Sequence, residues 1–416
     1  MKQEAIIIGA GMVGISIAWH LQQKDFQVTV LDRKAPGEET SYGNAGLIQR
    51  EAIYPHPFPT QLKEMLRVLP NKSLDIRYRP KALMHYAGPL WQYFKFSAKK
   101  PYDQIVEEWA TLVEHATSEH ETMFKASDAE YLVRQKGWLQ LHRDQASLDA
   151  VIQKSQKLKA HGVEFKVLTT HDIAELEPDL DAKAFIGGIH WLNAWQVTSP
   201  GDLTKAYAEN FQKLGGVIQE CTVTSLHQLQ NGTWNIATSE GQLETKNLII
   251  ATGPWSREIL KPLGYNFPLF PMRGYHKHYH CEAGKTLHHS VIDEDNGFVL
   301  SPQKLGIRLT TGAEFTFKDA PIRDEQLQED EQVARKIFPI TTPVEDTPWF
   351  GHRPCLPDMK PIISQAPKHE NLWLAFGHAH QGFTLGPATG RLLSEMIAGE
   401  TPYINPAPFS AKRFIA

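Results

Sequence analysis

The stretch from residue 2 to residue 32 constrains this chain more than any other. Ala5-Ile6-Ile7-Ile8 is an apolar run of the length of one buried parallel strand. Gly9-Ala10-Gly11-Met12-Val13-Gly14 follows at once, a G-x-G-x-x-G turn. Ile15, Ala18, Trp19 and Leu21 then recur at helical spacing, and Val28-Thr29-Val30-Leu31 is a second strand running into Asp32. In such a unit the first glycine permits the tight turn, the second lets the backbone approach a pyrophosphate, and the third lets helix and strand pack closely. The phosphates sit at the helix N-terminus, beside Met12 and Val13, where free N–H groups and the helix dipole favour negative charge. Asp32 stands 18 residues beyond Gly14, placed to accept from a ribose, and Arg33 follows it. Strand, turn, helix, strand and acid in this order predict dinucleotide binding.

The chain has 416 residues, enough for two domains, with 41% hydrophobic and 22% charged residues, as in an ordinary globular protein. A net charge of −4 gives no overall reason to expect nucleic-acid binding. Cys221, Cys281 and Cys355 lie far apart and form no C-x-x-C, which fits a reducing compartment. The basic-then-apolar N-terminus reads as the first strand rather than a signal peptide, and no apolar run approaches the ~18 residues of a spanning helix. The expected location is cytoplasmic.

Thr40-Ser41-Tyr42-Gly43-Asn44-Ala45-Gly46, followed by Leu47, is small and polar, suited either to a surface loop or to a backbone that a flat ring approaches. The glycine turn, the terminal acid and T-S-x-x-N-A-G together resemble the D-amino-acid oxidase superfamily of flavoproteins, and most closely its D-amino-acid dehydrogenases of the small-subunit type. The resemblance implies an α/β fold: an FAD-binding, GR2-type Rossmann-like domain with an inserted antiparallel-sheet substrate domain. The nucleotide domain is expected from residues 1–50, 200–265 and 345–416, and the substrate domain from 51–199 and 266–344. FAD is expected to bind non-covalently, with Thr40, Ser41, Asn44, Ala45, Gly46 and Leu47 around its ring.

Further along, Pro55, Pro57 and Pro59 predict an extended segment. Residues 71–100 then carry seven Lys/Arg against one acid (Asp75), interleaved with Tyr78, Tyr86, Trp91, Tyr93, Phe94 and Phe96. One reading is a helical insertion with solvated bases; the other is peripheral contact with an anionic membrane, at its inner face. The family's transfer of electrons to membrane quinones keeps the second reading open. Residues 103–127 and 145–161 read as helices, 133–141 as a hairpin, and 202–214 as a helix leading to a strand at Val217-Ile218. By the resemblance Val223 lies at the adenine end of the cofactor. Lys246 to Ile250 is an apolar strand ending in Ala251-Thr252-Gly253, small residues that admit a dinucleotide, with Trp255 beyond them.

Tyr275 precedes His276-x-His278-x-His280, histidines that alternate onto one strand face. The pattern reads as a half-exposed sheet face rather than a metal site, and no metal is expected. Glycine oxidases of the superfamily place a tyrosine near the position of Phe298, so that specificity is not implied. Gly351-His352-Arg353-Pro354-Cys355-Leu356-Pro357-Asp358 resembles the family's G-x-R-P-x-x-x-D segment, which implies that Arg353 binds the substrate carboxylate and also contacts the cofactor. Cys355 stands too close to Arg353 to match the cysteine that sarcosine oxidases use for a covalent flavin. The last strand, Leu372 to Phe376, leads into Gly377-His378-Ala379-His380-Gln381-Gly382-Phe383-Thr384, a second glycine-bearing turn onto a helix. Its amides are expected beside the flavin's N1–C2=O edge (Gly377, His378, Gln381, Gly382, Phe383, Thr384). Arg353, His380 and Tyr275 are the candidate catalytic residues.

The reaction so implied removes hydride from Cα of a D-amino acid to flavin N5. It leaves an imino acid that hydrolyses to a 2-oxo acid and ammonia, and the electrons pass to a quinone or another carrier. Two other readings stand beside it. One is an oxygen-using oxidase of glycine, sarcosine or D-proline-type secondary amines; the other is a non-catalytic FAD-binding subunit of a larger dehydrogenase.

Overall fold

The computed structural model describes residues 2–415. Two large sheets dominate it. The first has six strands in the order Val217–Glu220, Phe26–Asp32, Gln3–Ile8, Asn247–Ile250, Leu372–Phe376, Ile362–Gln365, all parallel except the last. Its apolar residues face both ways because helices cover one face and a second core covers the other. The helix Met12–Gln22 is buried almost all round, packed between the helices Pro200–Lys213 and Gly382–Ile397.

Two close approaches make this packing possible. Gly9 has φ +116°, and a Cβ there would meet the Ala251 carbonyl; a Cβ at Gly14 would strike the Gly9 carbonyl oxygen. Turn, helix and neighbouring strand therefore meet at van der Waals distance, as the glycine spacing requires.

The second sheet has eleven strands, mostly antiparallel, with two parallel pairings, and its spine is the long strand Phe270–Cys281. Trp349–Cys355 pairs with that spine, so the nucleotide portion of the C-terminal segment begins after Cys355 rather than at 345. The helices Lys99–Val113 and Ala116–Ala126, expected with the substrate domain, pack instead on the nucleotide side. Trp109 and Phe124 join its core there, and a His120 ring nitrogen hydrogen-bonds the Phe383 carbonyl oxygen at 2.9 Å. One helix was expected over 103–127, but the chain breaks it at Glu114-His115.

The expected hairpin at 133–141 does not form. Val133–Arg134 pairs with Trp195–Val197, whereas Trp138–His142 enters the large sheet against Gly187–Trp191. His276 and His278 are fully buried rather than half-exposed, because Trp349 stacks on His276 (centroids 4.8 Å, 20°) and Glu345 and Arg308 enclose His278. No helix among the described residues is long and apolar enough to cross a membrane.

Gly14→Ala places a methyl group inside the contact distance of the Gly9 carbonyl. We expect it to cost at least ~1–3 kcal/mol of stability, as overpacking does, and to strip the protein of bound flavin. A urea midpoint and a visible spectrum of purified protein check this; a yellow variant with an unchanged midpoint would refute the packing role.

Candidate functional site

One cavity of about 1050 Å³ runs between the two sheets, from the C-terminal ends of the parallel strands to the long strand of the second sheet. Its nucleotide end is formed by Gly9, Gly11, Met12 and Val13, by Asp32 and Arg33, by Val223, and by Ala251, Thr252, Gly253 and Trp255. Asp32 Oδ2 accepts from the Ala10 amide at 2.6 Å and Oδ1 from the Lys34 amide at 3.2 Å. Burial raises its pKa, and those amides oppose the rise. Arg33 pairs with Glu39 at 2.9 Å and lies over the Trp255 ring, 4.3 Å from its centroid. The cradle is shaped for a backbone to meet a phosphate: Gly9 and Gly11 carry no side chain at its floor, and the acid stands at the end of the second strand.

The 40–46 loop lies over this cradle because three groups hold it. Ser41 Oγ accepts from the Met12 amide at 2.9 Å, Asn44 Oδ1 from the Gly46 amide at 2.8 Å, and Thr40 Oγ1 donates to the His352 carbonyl at 3.5 Å. Thr40, Ser41, Asn44, Ala45 and Leu47 line the cavity; Gly46, at φ +80°, serves the turn behind it. Arg308, which sequence reasoning missed, clamps the loop from the opposite sheet. Its guanidinium donates to the Tyr42 carbonyl at 2.8 Å and the Asn44 carbonyl at 2.6 Å, and its Nε donates to His278 Nε2 at 2.9 Å.

At the far end, Arg353 lines the cavity with no acidic partner among the described residues. Its Nη2 donates to the Thr311 carbonyl at 3.2 Å, and burial depresses its pKa. A Cβ at Gly274 would lie 2.7 Å from Arg353 Nη2, so that glycine makes room for the guanidinium. Tyr275 also lines the cavity, but its hydroxyl is engaged elsewhere. Its hydroxyl, in a fully buried side chain, donates to Glu314 at 2.8 Å and accepts from Arg273 Nη1 at 3.2 Å, a structural network. His380 does line the cavity, and its ring stands 4.8 Å from that of His56, which sequence reasoning passed over. Strand alternation turns Val299 to the cavity and Phe298 into the core. Cys355 is buried outside the cavity lining, and burial pushes its thiol up to about 12.

In the C-terminal turn, His378, Gly382 and Phe383 reach the cavity, whereas Gly377, Gln381 and Thr384 stand behind it. His378 is anchored through Nε2 to Thr389 at 2.9 Å, and burial lowers its pKa to about 3. Thr384 Oγ1 donates to the Leu47 carbonyl at 3.2 Å, joining this turn to the end of the 40–47 loop. Gln381 Nε2 donates to Gln49 Oε1 at 2.8 Å, and Gln49 Nε2 donates in turn to Glu51 Oε1 at 3.0 Å. Glu51 is buried and also accepts from Trp138 Nε1 at 3.1 Å. Among the described residues no group of three His, Cys, Asp or Glu side chains has metal-site geometry.

The family model described as FAD dependent oxidoreductase (DAO) matches residues 4–396. A protein named D-amino acid dehydrogenase from Chromohalobacter salexigens is 27% identical over 420 residues, covering 99% of this chain and all of the relative. One of the same name from Vibrio cholerae is 28% identical over 96% of each chain. Among solved structures, glycine oxidase from Geobacillus kaustophilus superposes over the full length of both chains with a TM-score of 0.74 at 19% identity. The glycine cradle, the acid and the continuous cavity fit the FAD that this family binds.

Burial raises the Glu51 carboxyl to about 7. The folded state thus keeps a proton that an unfolded carboxyl, titrating near ~4.3, has lost. Stability from this group falls as pH rises through that interval and levels off above about 7. Glu51→Gln, neutral throughout, should be more stable than the parent at pH 8 by on the order of 3 kcal/mol, with a much smaller gap at pH 5. Urea midpoints at the two pH values measure it, and equal gaps would show that Glu51 is not buried as a neutral acid.

Proposed function

We propose, since the chain belongs to the DAO family of FAD-dependent oxidoreductases, that it oxidises D-amino acids to 2-oxo acids and ammonia and passes the electrons to a quinone or similar carrier. The observation that carries the reading is Arg353, a cavity-lining guanidinium with no carboxylate partner of its own. A planar fork with free donors matches a carboxylate bidentately, and a low-dielectric site strengthens the pairing. Bound FAD supplies the hydride acceptor. The chain supplies placement: Arg353 orients the carboxylate, the 40–47 loop and the Gly382-Phe383 amides hold the ring, and the enclosed cavity limits water. The names of the relatives from C. salexigens and V. cholerae support the D-amino-acid class.

A second observation bears on the acceptor. The short helix Leu62–Val68 has no buried residue, and Leu62, Leu66 and Leu69 are 72%, 57% and 66% exposed, with Met84 and Trp91 nearby in the chain at 71% and 58%. Met65, Val68 and Leu69 of this segment also line the cavity, so the apolar surface sits at its mouth. The basic count of 71–100 is smaller as a surface than as a sequence: Arg77 pairs with Glu329, and Arg79 with Glu314 at 2.9 Å. Lys72, Lys81, Lys95 and Lys100 remain exposed. Exposed apolar residues among lysines suit an anionic bilayer surface, from which a quinone reaches the cavity mouth.

Anaerobic titration of the purified protein with D-amino acids, L-amino acids and N-methyl or cyclic amines tests the main reading. Flavin bleaching confined to D-amino acids is expected; bleaching by N-methyl or cyclic amines alone would replace it with the secondary-amine reading. Arg353→Ala should keep its flavin and raise KM at least roughly 30-fold, since breaking a buried charged hydrogen-bond pair costs about 2–5 kcal/mol. The triple change Leu62→Ser, Leu66→Ser, Leu69→Ser should weaken sedimentation with phosphatidylglycerol vesicles about tenfold or more while amino-acid bleaching persists. Unaltered sedimentation would remove the membrane surface from the proposal.

A further inference from the structure

His56 and His380 come from segments more than three hundred residues apart in the chain, yet both line the substrate end of the cavity with ring centroids 4.8 Å apart. Each is placed by its own scaffold. The Tyr93 hydroxyl donates to the His56 carbonyl at 2.6 Å and the Tyr102 hydroxyl to the Pro55 carbonyl at 2.6 Å, fixing the proline-rich segment. His380 lies in the turn between Phe376 and the helix Gly382–Ile397, one residue beyond Ala379 at φ +51°. Among the described residues neither ring hydrogen-bonds a protein group, whereas His120, His278 and His378 are each anchored through a ring nitrogen. Two imidazoles have thus been brought together in the cavity and left with free nitrogens.

We propose that His380 accepts the proton of the substrate's ammonium group and that His56 is the positioning residue that holds it for this task, so that the amino acid is oxidised as the neutral amine. The proposal rests on the functional reading above. An amino acid enters as a zwitterion, its carboxylate on Arg353 and its ammonium beside the imidazole pair. One ammonium N–H bond breaks, its electron pair stays on nitrogen as the lone pair, and the proton forms a new N–H bond on His380, to be released later to water. The lone pair is what makes Cα a hydride donor; an ammonium group has none to offer.

The surroundings keep the acceptor free. Burial holds His380 well below the ordinary histidine range, and the nearby His56 and Arg353 act in the same direction. Burial lowers His56 to about 4, with Lys154 and Arg353 adding to it. Arg353, from the strand Trp349–Cys355, and Lys154, from the helix Gln145–Leu158, are the charged groups acting on the pair, and both are cations. His56 has an open face onto the cavity, so it stays in contact with solvent until substrate enters. Both imidazoles are therefore neutral at neutral pH, with an unprotonated nitrogen free, while the same burial makes them weaker bases than a free imidazole. A substrate carboxylate bound to Arg353 cancels the nearest cation and makes protonation of His380 easier at the moment it is needed.

The test is the pH profile of flavin reduction in the FAD-loaded full-length enzyme and in His380→Asn and His56→Asn, with a D-amino acid the parent oxidises. His380→Asn should lose roughly 100-fold in kcat/KM at pH 7, in the range of general-base contributions, and recover as pH approaches the ionisation of the free amine. In His56→Asn, removing a neighbour that disfavours charge on His380 should move the acid limb of the profile to higher pH. Propionate, a carboxylate without an amine, should perturb the flavin spectrum with the same affinity in all three proteins. A loss that is equal at every pH, or none, in His380→Asn would overturn the proposal, as would an unmoved acid limb in His56→Asn. A parent flavin that no amino acid bleaches would overturn the functional reading and this inference with it; normal bleaching with unshifted variants overturns this inference alone.

Discussion

The fold turns on one close approach. The Gly9 carbonyl, the start of the helix Met12–Gln22 and the end of the strand Asn247–Ile250 meet where no side chain intervenes. That contact sets the separation of helix and sheet, and so decides that the strand ends open onto a groove rather than a filled core. Because neighbouring parallel strands here run 217–220, 26–32, 3–8 and 247–250, the groove lies outside their carboxyl ends, where open α/β sheets collect ligands. Everything at the site hangs from these ends: Asp32 on one strand, Ala251 to Trp255 after another, and the His378–Phe383 turn after a third.

The second constraint is the burial of Arg308. A guanidinium that is 2% exposed is costly unless its donors are matched, and burial pulls its pKa down to about 10 against the opposing pull of Tyr42 and Glu345. The Tyr42 and Asn44 carbonyls and His278 supply the partners, and the Tyr42 ring lies beneath the guanidinium at 5.2 Å. The cost is met only if the 40–46 loop stays in place. The large sheet thereby fixes a loop that belongs to the other domain, and the two halves of the cavity keep one shape.

What could be read from the chain follows the range of the interactions involved. The glycine turn, Asp32, the strand into Ala251-Thr252-Gly253 and the turn around Gly382 are local patterns, and each stands where its spacing placed it. The hairpin reading at 133–141 is different: Val133 pairs with Val197 and Trp138 with Trp191, more than fifty residues away and in separate sheets, and alternation of apolar residues says nothing about which sheet. Arg308, His56 and Glu51 were invisible for the same reason. Each is an ordinary polar residue until the fold supplies a loop carbonyl, a second imidazole or an apolar cover. Tyr275 differs in the opposite direction: it lines the cavity, but Glu314 and Arg273 occupy its hydroxyl, which no local pattern could show.

The polarity of the cavity then explains why its two ends do not exchange roles. One end offers a partly buried carboxylate, Asp32, held by turn amides beside Arg33; the other offers a cation, Arg353, and two imidazoles. A ribose has its acceptor in Asp32 and phosphates have the glycine turn and the helix N-terminus at the first end, whereas the second end offers the guanidinium of Arg353 to a carboxylate. A dinucleotide and a small zwitterion entering the same 1050 Å³ space thus meet different hydrogen-bonding groups at its two ends. A flavin ring held between the 40–47 loop and the Gly382 turn would stand where the two territories meet, and the substrate's Cα would have to be brought there.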